Sequence, residues 1–211
     1  MSIKKLLSNK LLVCLIIVVL IIIIGLVFFM PDIMGQYIKR FGIKLSSDNS
    51  IEPLTDIVYL QNDDRWKNEH LAETDFTLGN QGCLTCVIAM ELCYLGYDVI
   101  PTDVNNSFIE NDAYTKNGLL IWYKINTAYP DIEYYYKKSF NSKTISDDLI
   151  NGLLPIVKVR YKKTGIFHWV LIVGANDDEF LILDPLDNNK EPIELSTHGK
   201  VYAYRVLKKV N

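Results

Sequence analysis

The chain carries two kinds of apolar pattern. From Leu11 to Met30 (LLVCLIIVVLIIIIGLVFFM) apolar residues run without a charge. Past Pro31 they turn periodic. Ile33, Met34, Tyr37, Ile38, Phe41 and Leu45 recur at helical spacing with Lys39, Arg40 and Lys44 between them. That spacing predicts a short helix, lying at a membrane surface or packed on the domain. Ser46 to Ser50 then reads as a flexible linker. Four helices are predicted next. They are Cys83–Leu95, which follows a Gly-Asn-Gln-Gly turn and ends at Gly96, Pro101–Phe108, Asn117–Ala128 and Ser146–Leu153, the last capped by Ser146. The second half reads as strands: Pro155–Tyr161, His168–Gly174, Glu179–Leu183 across the Asn176-Asp177-Asp178 turn, and Val201–Leu207. Helices first and hairpin-linked strands second imply an α+β domain with an antiparallel sheet.

The uncharged run decides the compartment. About 20 apolar residues at 1.5 Å each span a ~30 Å hydrocarbon core. A cleaved signal would be shorter and would end in a small-residue site, whereas this run ends GLVFFMPDIMG. Residues 11–30 are therefore expected to be one uncleaved transmembrane helix. The expected division is a tail over 1–10, the span over 11–30, a juxtamembrane segment and linker over 31–52, and one catalytic domain over 53–211. Lys4, Lys5 and Lys10 precede the span, and Lys39, Arg40 and Lys44 follow it. The closer N-side lysines and the short tail favour the N-terminus inside and the domain outside.

All 25 acidic residues lie beyond the span, against 19 of the 22 basic ones, a net of −6 for that part. Such a domain repels phosphate backbones, which excludes nucleic acid as the main partner.

A nucleophilic thiol must be ionisable, reachable and beside a base. Cys83 opens a predicted helix, where partial positive charge favours a thiolate. Cys86 and Cys93, seven apart on one face, read as core thiols, and Cys14 lies in the span. Of three histidines, His70 falls in a polar loop and His198 in a polar turn, whereas His168 opens the most apolar strand. Asp184 follows the next strand. In a hairpin the start of one strand lies beside the end of the next, so His168 and Asp184 are expected to be neighbours, the carboxylate orienting the ring.

The order of Gln61-x-Asp63-x-Arg65-Trp66, Gly82-Cys83, Ala89-Met90, Leu95-Gly96 and Pro101 resembles the bacteriocin-processing (double-glycine) cysteine peptidases of the papain-like superfamily. So do Gly118 with Trp122, Leu149-x-x-Gly152-x-x-Pro155-Ile156-Val157, His168-x-Val170-x-x-Val173-Gly174 and Asp184-Pro185. The resemblance implies a papain-like fold and hydrolysis of a peptide or protein substrate without cofactor or metal. It implies Cys83 as nucleophile, His168 as base and then acid, Asp184 as the orienting residue and Gln61 as oxyanion donor, with Gln81 in reserve. Leu84 stands where the family commonly has Gly, and Cys86 where it has a small hydroxyl residue. No ATPase motif accompanies the domain, so a role in leader-peptide export is not carried over.

Three other readings compete. Cys83-Leu84-Thr85-Cys86 is a C-x-x-C at a helix start, as in thiol–disulfide oxidoreductases. A peptidase-like fold can serve as a non-catalytic binding module. A zinc site from Cys83, Cys86, Cys93 and His168 is disfavoured by the place of Cys93 inside a helix.

Overall fold

The computed structural model describes residues 3–210, with side chains from Leu12 onward. Lys4, Lys5 and Lys10, invoked above for orientation, lie outside the described side chains. Helix α1 runs from Ile3 to Phe41, straight through Pro31. Leu12–Phe41 is long and apolar enough to cross a membrane, by length and composition. The separate juxtamembrane helix expected after Pro31 is thus the end of α1. Loss of one N–H at Pro31 does not break it, because its far end is packed on the body of the molecule. Ile38 is buried in the core, and Asp32 pairs with Lys138 at 2.8 Å. Gly35 allows the approach: a Cβ there would lie 2.8 Å from the Lys138 carbonyl oxygen. Ile33, Met34, Tyr37 and Phe41 remain exposed on the free side.

The segment expected to be a flexible linker is pinned instead. Ser47 is buried and its N–H donates to Asp178 O at 3.1 Å. Ile43 and Ile51 on either side bridge to Val201 and Ala175.

The body is α+β, with a six-stranded antiparallel sheet in the order β1-β6-β2-β3-β4-β5. The strands are β1 (Ile132–Tyr135), β2 (Ile156–Arg160), β3 (Phe167–Asn176), β4 (Glu179–Leu183), β5 (Ile193–Glu194) and β6 (Val201–Lys209). The helices are α2 (Leu78–Gln81), α3 (Cys83–Tyr94), α4 (Pro101–Glu110), α5 (Ile125–Ala128) and α6 (Ser142–Ile150). Helix α3 is buried from Thr85 to Leu92 and packs on β3, which explains its all-round apolar sequence. Val87, Ile88, Met90, Phe108, Ile156, Leu171 and Phe180 share one core with it. Truncating one such side chain to alanine costs about 2–5 kcal/mol.

Two helix expectations change. Residues 117–121 are not helical, because Gly118 takes φ +74° and Tyr114 bridges Leu120. Only a 3-10 turn at Trp122–Lys124 and α5 remain of that helix. The expected helix at 146–153 starts four residues earlier. Asn141 Oδ1, not Ser146, caps it by accepting from Thr144 N at 3.0 Å, and Ser146 is buried.

Candidate active site

Cys83 owes its position to a break between two helices. The short α2 ends at Gly82, and α3 begins at the next residue. A Cβ on Gly82 would lie 2.4 Å from the Leu78 carbonyl oxygen, so only glycine fits this junction. The first α3 bond runs from Cys86 N to Gly82 O at 3.0 Å. The N–H groups of Cys83, Leu84 and Thr85 therefore precede the helical ladder, at the positive end of the helix. Cys83 itself is half-buried, whereas Cys86, one turn on, is fully buried. Burial pushes the Cys86 thiol well above its ordinary value. Cys93 sits at the far end of α3, its sulfur 3.1 Å from Val99 O, so the zinc set considered above is not brought together.

His168 is the second residue of β3, opposite Val159 of β2, and is buried. The β3–β4 hairpin pairs Leu171 with Leu183 and so carries Asp184 to the ring. The distance from His168 Nε2 to Asp184 Oδ1 is 2.5 Å. Cys83 is among the groups that raise the proton affinity of the imidazole. His168 and Asp184 thus meet from β3 and the end of β4.

Electrostatics follow from that packing. Burial disfavours charge on the His168 ring. The hydrogen bond to Asp184 and the nearby Cys83 sulfur outweigh it and lift the ring to about 9. Burial likewise disfavours charge on Asp184. Its bonds to His168 and His198 win, holding the carboxyl well below the usual range.

His198 is the site residue that sequence reasoning missed. Expected in a polar turn, it is buried, and its Nε2 lies 3.0 Å from Asp184 Oδ2. Its Nδ1 accepts from Lys162 N–H at 3.0 Å, so the ring proton sits on Nε2 and donates to the carboxylate. Leu186 N–H adds a bond to Oδ1 at 2.8 Å. Asp184 is therefore held by two imidazoles and one amide. The Lys162 amide is aimed by a strained turn: Lys162 and Lys163 both take positive φ, 47° and 75°. Tyr161, just before them, lays its ring against both His168 and His198. The separation of fourteen positions between Asp184 and His198 hid this contact in the sequence. The only signal was a histidine followed by glycine at a tight turn.

Gln61 is buried between the segments that carry Cys83 and Asp184. Its N–H donates to Pro185 O at 2.7 Å, and its Nε2 donates to Gly79 O at 2.8 Å. Its Oε1 is buried without a partner. Gln81 is exposed at the end of α2. Nearby, Asp63 and Arg65 form an exposed pair at 2.8 Å, which lowers Asp63 to about 2, and the guanidinium lies over Trp66. They brace the loop that holds Gln61. Leu84 lines a small cleft with Gln81, Thr85, Phe108 and Tyr114.

Among solved structures, the chain matches a protein from Bacillus anthracis described as a C39-like peptidase. The TM-score is 0.51 and the identity 12%, over 76% of this chain and 98% of that one. The likeness is one of fold. No family model matches the chain, and no curated protein matches it significantly.

Proposed function

We propose that this chain is a membrane-anchored, papain-like cysteine peptidase. The observation that carries the reading is the buried 2.5 Å contact between His168 and Asp184, with Cys83 among the groups that raise the ring's proton affinity. The fold shared with a C39-like peptidase supports it.

In the proposed reaction the Cys83 proton passes to His168 and the sulfur attacks the peptide carbonyl carbon. The resulting oxyanion takes hydrogen bonds from the Cys83 N–H and from the second Nε2 hydrogen of Gln61. The C–N bond then breaks as His168 delivers its proton to the leaving amine. Water attacks the thioester, losing a proton to the ring, and the C–S bond breaks to restore the thiol and release an acid. A ring that keeps its proton up to about pH 9 is suited to the acid step. Asp184 orients that ring, and His198 holds Asp184.

The proposed organisation is a tail over 1–10, a single span over 11–30, a joining segment over 31–52 and the peptidase domain over 53–211, outside the cytoplasm. The proposed partner is a peptide or protein substrate. Leu84 narrows the entrance that a smaller residue would leave open. A thiol–disulfide role would need Cys86, whose complete burial opposes it.

The test is labelling by a thiol-directed acylating probe. Cys83→Ala is expected to abolish it, and Cys86→Ala and Cys93→Ala to leave it intact. Undiminished labelling of Cys83→Ala would remove the proposal.

A further inference from the structure

The face of the sheet that carries Trp169 has a chemistry of its own. Lys158, Trp169 and Ala203 stand in register across β2, β3 and β6. They form part of the floor of a groove of about 690 Å³. One wall is the end of α1, through Asp32, Gly35, Gln36 and Lys39, and another is the loop at Tyr136–Lys138.

The groove is rich in cations. Lys39, Lys137, Lys158 and Arg205 line it, and among the described residues none of the four has a carboxylate within salt-bridge reach. The one acidic wall residue, Asp32, is already paired with Lys138. Arg205 lies over the Trp122 and Tyr136 rings, and its Nε is buried without a hydrogen-bond partner. Lys158 lies over the Phe167 ring. Burial first, then Lys39 and Arg205, push Lys158 below its ordinary value against an opposing pull from Cys83, the expected response of cations held close together. This concentration of positive charge sits on a part of the chain whose net charge is −6.

Its depth along α1 names the occupant. At 1.5 Å per residue, Asp32 lies about 3 Å and Lys39 about 14 Å beyond Met30, the last residue of the apolar run. A headgroup layer extends roughly 5–7 Å past the hydrocarbon core. The groove therefore begins within that layer and opens outward from it. The close approach at Gly35 fixes α1 against the 136–138 loop and holds the groove at this level.

We propose that this groove binds the headgroup of an anionic phospholipid, with the phosphodiester against Lys158 and Arg205 and the aromatic rings flanking it. The proposal rests on the reading of α1 as a membrane anchor. It gives the domain a fixed posture, with the basic groove meeting the bilayer.

The experiment is native mass spectrometry of the full chain in detergent, titrated with dihexanoyl phosphatidylglycerol or dihexanoyl phosphatidylcholine. One phosphatidylglycerol is expected to bind at least tenfold more tightly than phosphatidylcholine. Lys158→Gln with Arg205→Gln is expected to weaken it tenfold or more. Lys39→Gln with Lys137→Gln, both exposed and harmless to the core, is expected to weaken it at least threefold. Equal binding of the two lipids, or unchanged affinity in both double variants, overturns the proposal. Displacement by inorganic phosphate at matching concentration reassigns the groove to a soluble anion, and displacement by an aspartate-rich peptide reassigns it to a protein. Either overturns the lipid. Carbonate extraction of membranes reads the anchor separately. Release of the chain overturns the anchor, whereas retention with no headgroup preference overturns the groove alone.

Discussion

His168 and Trp169 are neighbours on β3, yet they face opposite worlds. On the His168 side every charge has a counterpart: Asp184 receives two imidazoles and an amide, and the ring receives Asp184 and Cys83. On the Trp169 side, cations outnumber the single carboxylate, Asp32, which Lys138 already holds. A satisfied buried network holds one geometry, which suits a reacting pair. An unsatisfied one waits for something to complete it, which suits a binding surface. Strand alternation alone separates the two chemistries by one residue.

Breaking the satisfied side should have the largest effect. Asp184→Asn leaves the fold but deprives His168 of its orienting charge, and turnover is expected to fall by about 10²–10⁴-fold. The alkaline limb of the pH–rate profile, expected near pH 9, should move to lower pH. A profile with an unmoved limb would mean that Asp184 does not set the ring's proton affinity.

His198→Phe removes one hydrogen bond to a charged group, worth about 1.5–3 kcal/mol. Turnover should drop about tenfold or somewhat more, with the alkaline limb shifted slightly. A merely structural histidine would lower the melting temperature and leave the limb in place. His198→Phe should lose more than His198→Gln if the bond to Asp184 is what counts.

Stability should report the same pair. The folded ring holds its proton to about pH 9, and the unfolded ring only to about 6.5. Between those values the native state binds a proton that the unfolded state has lost. This contribution is complete below about pH 6.5 and fades as pH rises through 9. Wild-type melting temperature should fall across that window more steeply than that of His168→Gln. Parallel curves would contradict the assigned shift.

The smallest effect sharpens the contrast from the other side. Lys39→Gln with Lys137→Gln should leave the rate of active-site labelling within about twofold of wild type, since surface charges of this kind act weakly at a distance. A tenfold change would show that the two faces are coupled.

The sequence exposed what local rules govern. Hairpin arithmetic set His168 beside the end of the next strand, because pairing across a short turn is fixed by residue count. The mostly apolar 83–95 stretch, set between a Gly turn and Gly96, implied a helix. What escaped depended on contacts between distant segments. His198 reaches Asp184 only after the chain leaves β4, forms β5 and passes a 3-10 turn. The helix expected at 117–128 failed at Gly118, whose positive φ serves a local bridge that periodicity cannot reveal. The break expected at Pro31 failed because Gly35 and Ile38 dock the helix end on the body, a tertiary gain that outweighs one lost hydrogen bond. Pairing of Ser47 and Ile51 with the sheet was hidden for the same reason.

The most direct measurement is peptide mapping after treatment of wild type and His168→Ala with a peptidyl thiol-acylating probe at pH 7. The predicted result is a single adduct on Cys83 in the wild type and its loss in His168→Ala, whose sulfur is intact but has no partner to take its proton. Equal adduct yields on Cys83 in the two proteins would contradict the account.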